Sequence, residues 1–425
     1  MPAQDPSGAP AQDGRSGLQR RTLGVLMVAI LPAGAAMSAG YGSAAILGEE
    51  LTGNEALGGL AAAAMTTGAA LSAVPLARLM AARGRRPGLT CGYAIAAVGA
   101  LLATAAALSS WYPLLVAGIL GIGTGNAANL AARFAAADLA EEDDRAQAIG
   151  SLIWASTFGT VLGPTIGLGP APAVAEWMGL PPLAGPYVLC VVLFGAAGLL
   201  VWRRLLPDPL AVVGGVGLPA AERPRFWDSA HLLRRSAAGR LGVLGMVSGH
   251  VVMVAIMTMT PLHLRHGGHH LEVVGFVISL HIIGMYAFSP VVGRLADRLG
   301  ERPVLVAGGV LLLGGALWTA STGEGGVLGV YLGLFLIGLG WSCGIVAGSS
   351  LLVGAFPPAR RVQVQGLADL VMTAAGAAAG LTSGFVVAWT DYGVLARWSG
   401  VLGLSATAVV IIEAVGGRRS GVLRP

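Results

Sequence analysis

The chain contains no lysine: all 26 of its basic residues are arginine. That absence removes the phosphate-cradling G-x-x-x-x-G-K-[ST] loop, so ATP does not drive this protein directly. Cysteine is scarce as well. Cys91, Cys190 and Cys343 sit at irregular spacings inside apolar runs, which excludes a disulfide framework and a zinc site and leaves buried, inert thiols. Charge is the largest deficit. Only 11% of the 425 residues are charged, against roughly a quarter in a soluble protein. With 55% hydrophobic residues and a mean hydropathy of +0.74, the balance points to lipid as the solvent.

What is present is a series of long apolar runs. Crossing the hydrocarbon core takes roughly 20 apolar residues in a helix, and twelve runs qualify: 23–46, 56–78, 88–108, 112–137, 147–169, 184–204, 241–264, 272–292, 303–321, 327–353, 364–388 and 392–414. The first follows Arg20 and Arg21 as a signal peptide would, but it is too long for an h-region and eleven more spans follow, so it reads as a retained helix. The organisation expected is a disordered cytoplasmic tail (1–19), a six-helix bundle (20–204), a cytoplasmic linker (205–240), a second six-helix bundle (241–416) and a short cytoplasmic tail (417–425). The 66 glycines and the many alanines suit close helix packing in a bilayer, where small residues let backbones approach.

Arginine placement sets the orientation. With the N-terminus cytoplasmic, only Arg265 and Arg397 of the 26 fall on the outer side, leaving 24 on the inner, Arg133 at the end of span 4 counted among them. This positive-inside bias places both termini in the cytoplasm, and a bacterial inner membrane is the expected location. It also accounts for the high pI without nucleic acid.

The chain repeats itself. Gly84, Arg86 and Pro87 recur as Gly300, Arg302 and Pro303, and Arg145, Gln147 and Gly150 recur as Arg361, Gln363 and Gly366, every pair 216 residues apart. Parallel repeats of this kind are the mark of a transporter whose halves rock about a central site.

With the loop "GRLADRLGERP" (Gly293–Pro303), the chain resembles the major facilitator superfamily over essentially its whole length. Gly293, Asp297, Gly300 and Arg302 match that superfamily's loop motif. The resemblance implies an all-α membrane protein of twelve transmembrane helices in two pseudo-symmetric six-helix bundles. Asp297 is expected to pair with basic groups and meet a helix N-terminus, latching one conformation. The first-half copy, "ARLMAARGRRP", has Ala81 where the acid belongs. Gly150, Gly159, Gly163, Pro164 and Gly167 resemble the span-5 motif of superfamily antiporters, with Leu168 in place of its final glycine. There the glycines let span 5 pack closely on a neighbour and Pro164 bends it. The companion span-4 motif fails, since Ile119 occupies the place of the expected arginine, and span 1 has no acid in its core.

Methionine and histidine are concentrated near the middle of the chain. Met246, Met253, Met257 and Met259 share span 7, although the whole chain has 12 methionines. Met253 and Met257 lie one turn apart on one face, which His250 shares, and His281 and Met285 repeat that spacing in span 8. Thioether and imidazole together favour copper, especially Cu(I), over hard cations. The same residues equally read as packing methionines and a histidine bonding across helices. The paired motifs resemble those of the CcoA-type bacterial copper importers. That resemblance implies a copper-handling set of Met253, Met257, His281 and Met285 drawn together between spans 7 and 8, with copper as cargo and no cofactor.

Other polar groups stand out. His263, His266, His269 and His270 are expected in the outer loop between spans 7 and 8. Asp369 in span 11 is a charge at membrane depth, read either as a proton carrier or as a paired group. Asn126 and Asn129 in span 4 offer polar groups to a cavity or bond helix to helix. No enzyme signature is present. The functional classes in play are a copper importer, a proton-coupled multidrug or small-solute antiporter, and a sensor for which no appended domain speaks. Each would act as a monomer on a small molecule or metal ion.

Overall fold

The computed structural model describes residues 12–217, 226–268, 271–321 and 327–421. Among them there is no strand, and twelve helical segments are long and apolar enough to cross a membrane. Span 1 is Gly14–Thr52, span 2 Ala56–Arg83, span 3 Arg85–Ser109, span 4 Tyr112–Ala137, span 5 Glu142–Leu168 and span 6 Pro182–Val212. Span 7 is Ala237–Leu264, span 8 Val273–Leu299, span 9 Glu301–Ser321, span 10 Leu328–Ala355, span 11 Pro358–Trp389 and span 12 Tyr392–Glu413.

Local chemistry sets the ends of these helices. The side chain of Asn54 accepts from the backbone N–H of Ala56 and Leu57 and starts span 2, satisfying donors a helix start leaves free. Gly84 and Gly300 close the tight turns after spans 2 and 8 at φ 101° and 89°, a region that a side chain strains. This is the physical reason that the turn recurs with its glycine. Span 8 breaks at Ala287–Phe288 into Leu271–Tyr286 and Ser289–Leu299. Pro290 has no N–H for the Tyr286 carbonyl one turn back, and the Ser289 hydroxyl donates to that carbonyl instead, at 2.5 Å.

Small residues bring the spans together. In the first half Gly99 and Gly118 bring spans 3 and 4 into backbone contact, and Gly315 and Gly333 do the same for spans 9 and 10. One apolar cluster is built from residues 26–210 with Val362 added, and another lies wholly within residues 252–396. A third joins the two sets, with Phe134, Ala146 and Ile149 against Val292, Val346 and Val364. The architecture is two six-helix bundles.

Three boundaries differ from expectation. The first helix begins at Gln12, so residues 12–19 of the expected tail are helical, and Gln19 donates to the Ala136 carbonyl at 2.6 Å. Residues 1–11 lie outside the described residues. The linker contains the short helices Pro209–Val212 and Phe226–Arg235, the first capped by Asp208, which also accepts from the Arg86 N–H at 2.7 Å. At the other end the last helix continues to Gly421, into the expected tail.

Candidate functional site between the two halves

The charged groups that the sequence places near membrane depth meet at the arginine-rich end, where the halves close on each other. Arg133 lies within the span-4 helix, four residues before its last residue Ala137, rather than in a loop, and is 2% exposed. It pairs with Asp369 of span 11, donates to the Ser349 hydroxyl of span 10 at 2.9 Å and to the Leu130 carbonyl at 2.6 Å. Asp369 lies eleven residues into its helix, about 16 Å along the axis. In this conformation the acid is paired. A second group lies nearer the helix ends. Asp138 accepts from Arg85 at 2.8 and 3.3 Å, Arg361 approaches it at 3.6 Å, and Arg85 also donates to Gln365 at 2.8 Å. Arg133–Asp369 and Asp138–Arg361 both cross between halves.

Asp297 meets a helix start, while among the described residues no ion pair joins it to the expected basic groups. Its carboxylate accepts from the backbone N–H of Ala146 at 2.9 Å and of Gln147 at 2.8 Å, the first turn of the helix Arg145–Leu168. Those N–H groups have no partner within their own helix and carry the positive end of its dipole. Gly293 lies on the Ala146 carbonyl and Gly150 on the Ser289 carbonyl, each where a Cβ would collide with backbone. Arg302 pairs with Glu413 at 3.1 Å and Gly300 makes the turn. The remaining span-5 glycines serve a different neighbour: Gly159, Gly163 and Gly167 lie against Leu31, Ala35 and Ala39 of span 1. Pro164 is accommodated inside the helix.

The methionines of spans 7 and 8 belong to or border two apolar clusters that share Met253. His281 is 2% exposed, and its Nδ1 stands 2.8 Å from the Leu334 carbonyl of span 10. A carbonyl only accepts, so Nδ1 carries the proton; Nε2 is buried without a hydrogen-bond partner. Met285, one turn on, is buried too, and Gly338 of span 10 lies against the backbone of both. Span 10 is the main neighbour of span 8 and of span 7, while spans 7 and 8 touch little. Met253 borders both the apolar cluster that contains Met285 and the one that Met257 borders. Spacing along a helix fixes a face but not the helix it meets, and it is Gly338 of span 10 that meets the backbone of His281 and Met285.

His250 turns to spans 10 and 11. Trp341 donates from Nε1 to His250 Nδ1 at 3.3 Å, the ring lies against Gly376, and Tyr286 packs edge-on to Trp341 at 5.7 Å between centroids. This aromatic group at mid-depth was not singled out in the sequence, where only His250 carried a signal. Asn129 accepts from the Tyr93 hydroxyl at 2.9 Å, a bond between spans 3 and 4, while Asn126 is half-buried. His263 lies in the span-7 helix rather than in a loop, stacked on Tyr392 at 4.2 Å. His266 ends that helix, and His269 and His270 lie outside the described residues. Among the described residues no group of three or more His, Cys, Asp or Glu is placed to hold a metal ion.

Known proteins resemble this chain in sequence and in fold. A transporter of Bacillus subtilis, described as the uncharacterized MFS-type transporter YdeG, is 38% identical over 400 residues, covering 93% of this chain and 92% of the relative. The riboflavin transporter RfnT of Brucella anthropi is 25% identical, covering 80% of this chain and 82% of its own. Among solved structures, the transporter FucP in its outward conformation superposes with a TM-score of 0.72 at 16% identity, covering 92% of this chain and 98% of that one. The family model described as Major Facilitator Superfamily matches residues 25–274 and 268–416. Twelve spans in two bundles, a repeat at fixed offset and an acid of the loop motif seated on a helix start thus have one common explanation: the chain belongs to the Major Facilitator Superfamily, and it is a membrane-embedded secondary transporter.

Proposed function

We propose that this transporter carries a small organic solute with an aromatic or heteroaromatic part across the bacterial inner membrane, working as a monomer by alternating access. Its arginine-rich end and both termini face the cytoplasm, and the conformation described is closed at that end. The observation that carries the substrate class is the mid-depth group of Tyr286, Trp341 and His250, which sets two aromatic rings beside one imidazole. Sites for such ligands combine aromatic walls with few polar groups. The likeness to a riboflavin transporter supports the same class. Closure rests on Asp297 seated on span 5 and on Arg133 paired with Asp369 across the halves. Protonation of Asp369 would release Arg133, which makes this acid the candidate coupling site for import or for proton-driven antiport.

A second reading, copper import, is favoured by one observation: His281 holds an unprotonated Nε2 in a buried position one turn from the Met285 thioether. A neutral imidazole whose other nitrogen donates to a carbonyl is the usual form of a metal-ligating histidine.

Purified protein in liposomes separates the two. Uptake of labelled riboflavin and related heteroaromatics, suppressed by Trp341→Ala and retained in His281→Asn, is the expected result. Uptake of radioactive Cu(I), lost in His281→Asn and in Met257→Leu at unchanged protein abundance, would overturn it in favour of copper.

A further inference from the structure

At the arginine-rich end, between the halves, lies a cavity of about 350 Å³. Arg15, Asp138 and Arg145 line it from the first half, Phe356 and Arg361 from the second, and Val213 from the linker. Its charges do not balance. Asp138 is the one acid in the lining, and both its oxygens already accept from Arg85. Arg361, with a side chain only 5% exposed, approaches the same carboxylate no closer than 3.6 Å, and its Nε has no hydrogen-bond partner. The Nε of Arg145 is likewise buried and unpartnered; its ion pair is with Glu142 at 4.0 Å, whose side chain is 87% exposed. Arg15, Arg85 and Arg145 all act on Arg361 as like charges.

Two buried guanidiniums, Arg85 and Arg361, thus share one carboxylate, with the half-buried Arg145 beside them on the cavity wall. A buried cation without compensation is costly, and a transporter can escape that cost by admitting a counter-charge. The space is too large for a monatomic ion to span. Guanidinium groups arrayed around a pocket match an oxyanion, whose several acceptors take N–H bonds from more than one fork. We propose that this cavity binds a phosphate group, carried by inorganic phosphate, a small phosphomonoester or an anionic lipid headgroup. Because its walls come from both halves, the bound anion holds the arginine-rich end shut: a ligand that binds one conformation shifts the equilibrium towards it. Binding itself stands apart from the proposed transport reading; only the effect on the gate rests on alternating access.

The test uses the full chain in nanodiscs of zwitterionic lipid, with spin labels on Asp143→Cys and Arg360→Cys, one on each half. Inorganic phosphate is titrated against chloride at constant ionic strength, reading thermal unfolding and the inter-label distance. A parallel arm replaces free phosphate by phosphatidic acid in the disc. The expected result is a saturable rise in unfolding temperature and a larger short-distance population, with half-saturation weakened about tenfold in Arg145→Gln and in Arg15→Gln. Both variants leave the Arg85–Asp138–Arg361 group intact, so they guard against an Arg361 variant that fails to fold. A response to free phosphate assigns a soluble ligand, and one confined to phosphatidic acid assigns the lipid; either supports the site. No response in both arms, or responses unchanged in both variants, overturns it. A rise in unfolding temperature without any change in distance overturns the effect on the gate.

Discussion

The two seams that join the halves occupy equivalent positions in the repeat yet close by opposite means. Where span 5 meets span 8, Asp297 caps a helix that starts late: residues 142–144 form a tight 3-10 turn, so the N–H groups of Ala146 and Gln147 are free to bond its carboxylate. Where span 11 meets span 2, the helix starts at Pro358. The N–H groups of Val362 and Gln363, the counterparts of Ala146 and Gln147, are already inside it and engaged one turn back. No donor awaits an acid there, and the position of the acid holds Ala81, buried with Val362 in the first-half core. The backbone contact survives the difference: Gly366 lies on Ala73 and Ala77 as Gly150 and Gly293 serve the other seam. Charge at the second seam is carried by side chains instead, through Arg85, Asp138 and Arg361. The missing acid of the first-half motif is therefore matched to a helix that has no use for it.

This contrast can be tested by four substitutions, read as the population closed at the arginine-rich end from the distance between labelled Asp143→Cys and Arg360→Cys. Asp369→Asn should have the largest effect. It leaves Arg133 buried without its partner, a change that costs about 3–5 kcal/mol, and the closed population should collapse, while the double variant Arg133→Leu with Asp369→Leu recovers part of it. Ala81→Asp comes next. If the seams were interchangeable it would install a second latch and favour closure; on the geometry described it buries a carboxylate without donors and should oppose closure by at least ~2 kcal/mol. Asp297→Asn follows, losing charge-assisted bonds to a helix start worth about 1–2 kcal/mol. It should shift the conformational balance with substrate affinity unchanged, and a selective loss of substrate binding would break the latch reading. Ser349→Ala should be smallest, at about 1 kcal/mol, because Arg133 keeps Asp369 and the Leu130 carbonyl.

The features legible in the sequence were those fixed by local chemistry. Span limits follow from apolar length, the turns at Gly84 and Gly300 from their glycine, and the seat of Asp297 from a motif whose partner is a helix start. Arg133 was misplaced because counting arginines by loop treats a residue near the end of a helix as part of the loop. Its partner is 236 residues away, and no spacing rule reaches that far. The neighbour of the methionine–histidine face of span 8 was hidden for a related reason. The i,i+4 rule puts His281 and Met285 on one face of span 8, but small residues decide which helix that face meets. Gly338, and Gly284 against Phe335, draw span 8 onto span 10. The shelf of Tyr286 and Trp341 left no periodic trace, since each aromatic comes from a different helix.

Arg133 and Ser349, hydrogen-bonded to each other, are 216 residues apart, which is the offset of the repeat. They are thus the same position in the two halves, meeting at the pseudo-twofold axis. A residue on such an axis faces its own counterpart, so it cannot be identical in both copies and still do this work. Arginine in both would set two guanidiniums against each other, and serine in both would leave Asp369 without a cation. A chain assembled from two copies of the first half would therefore repel itself at its centre. One of two copies from the second half would lack the cation there, so the two halves have become complementary parts rather than duplicates.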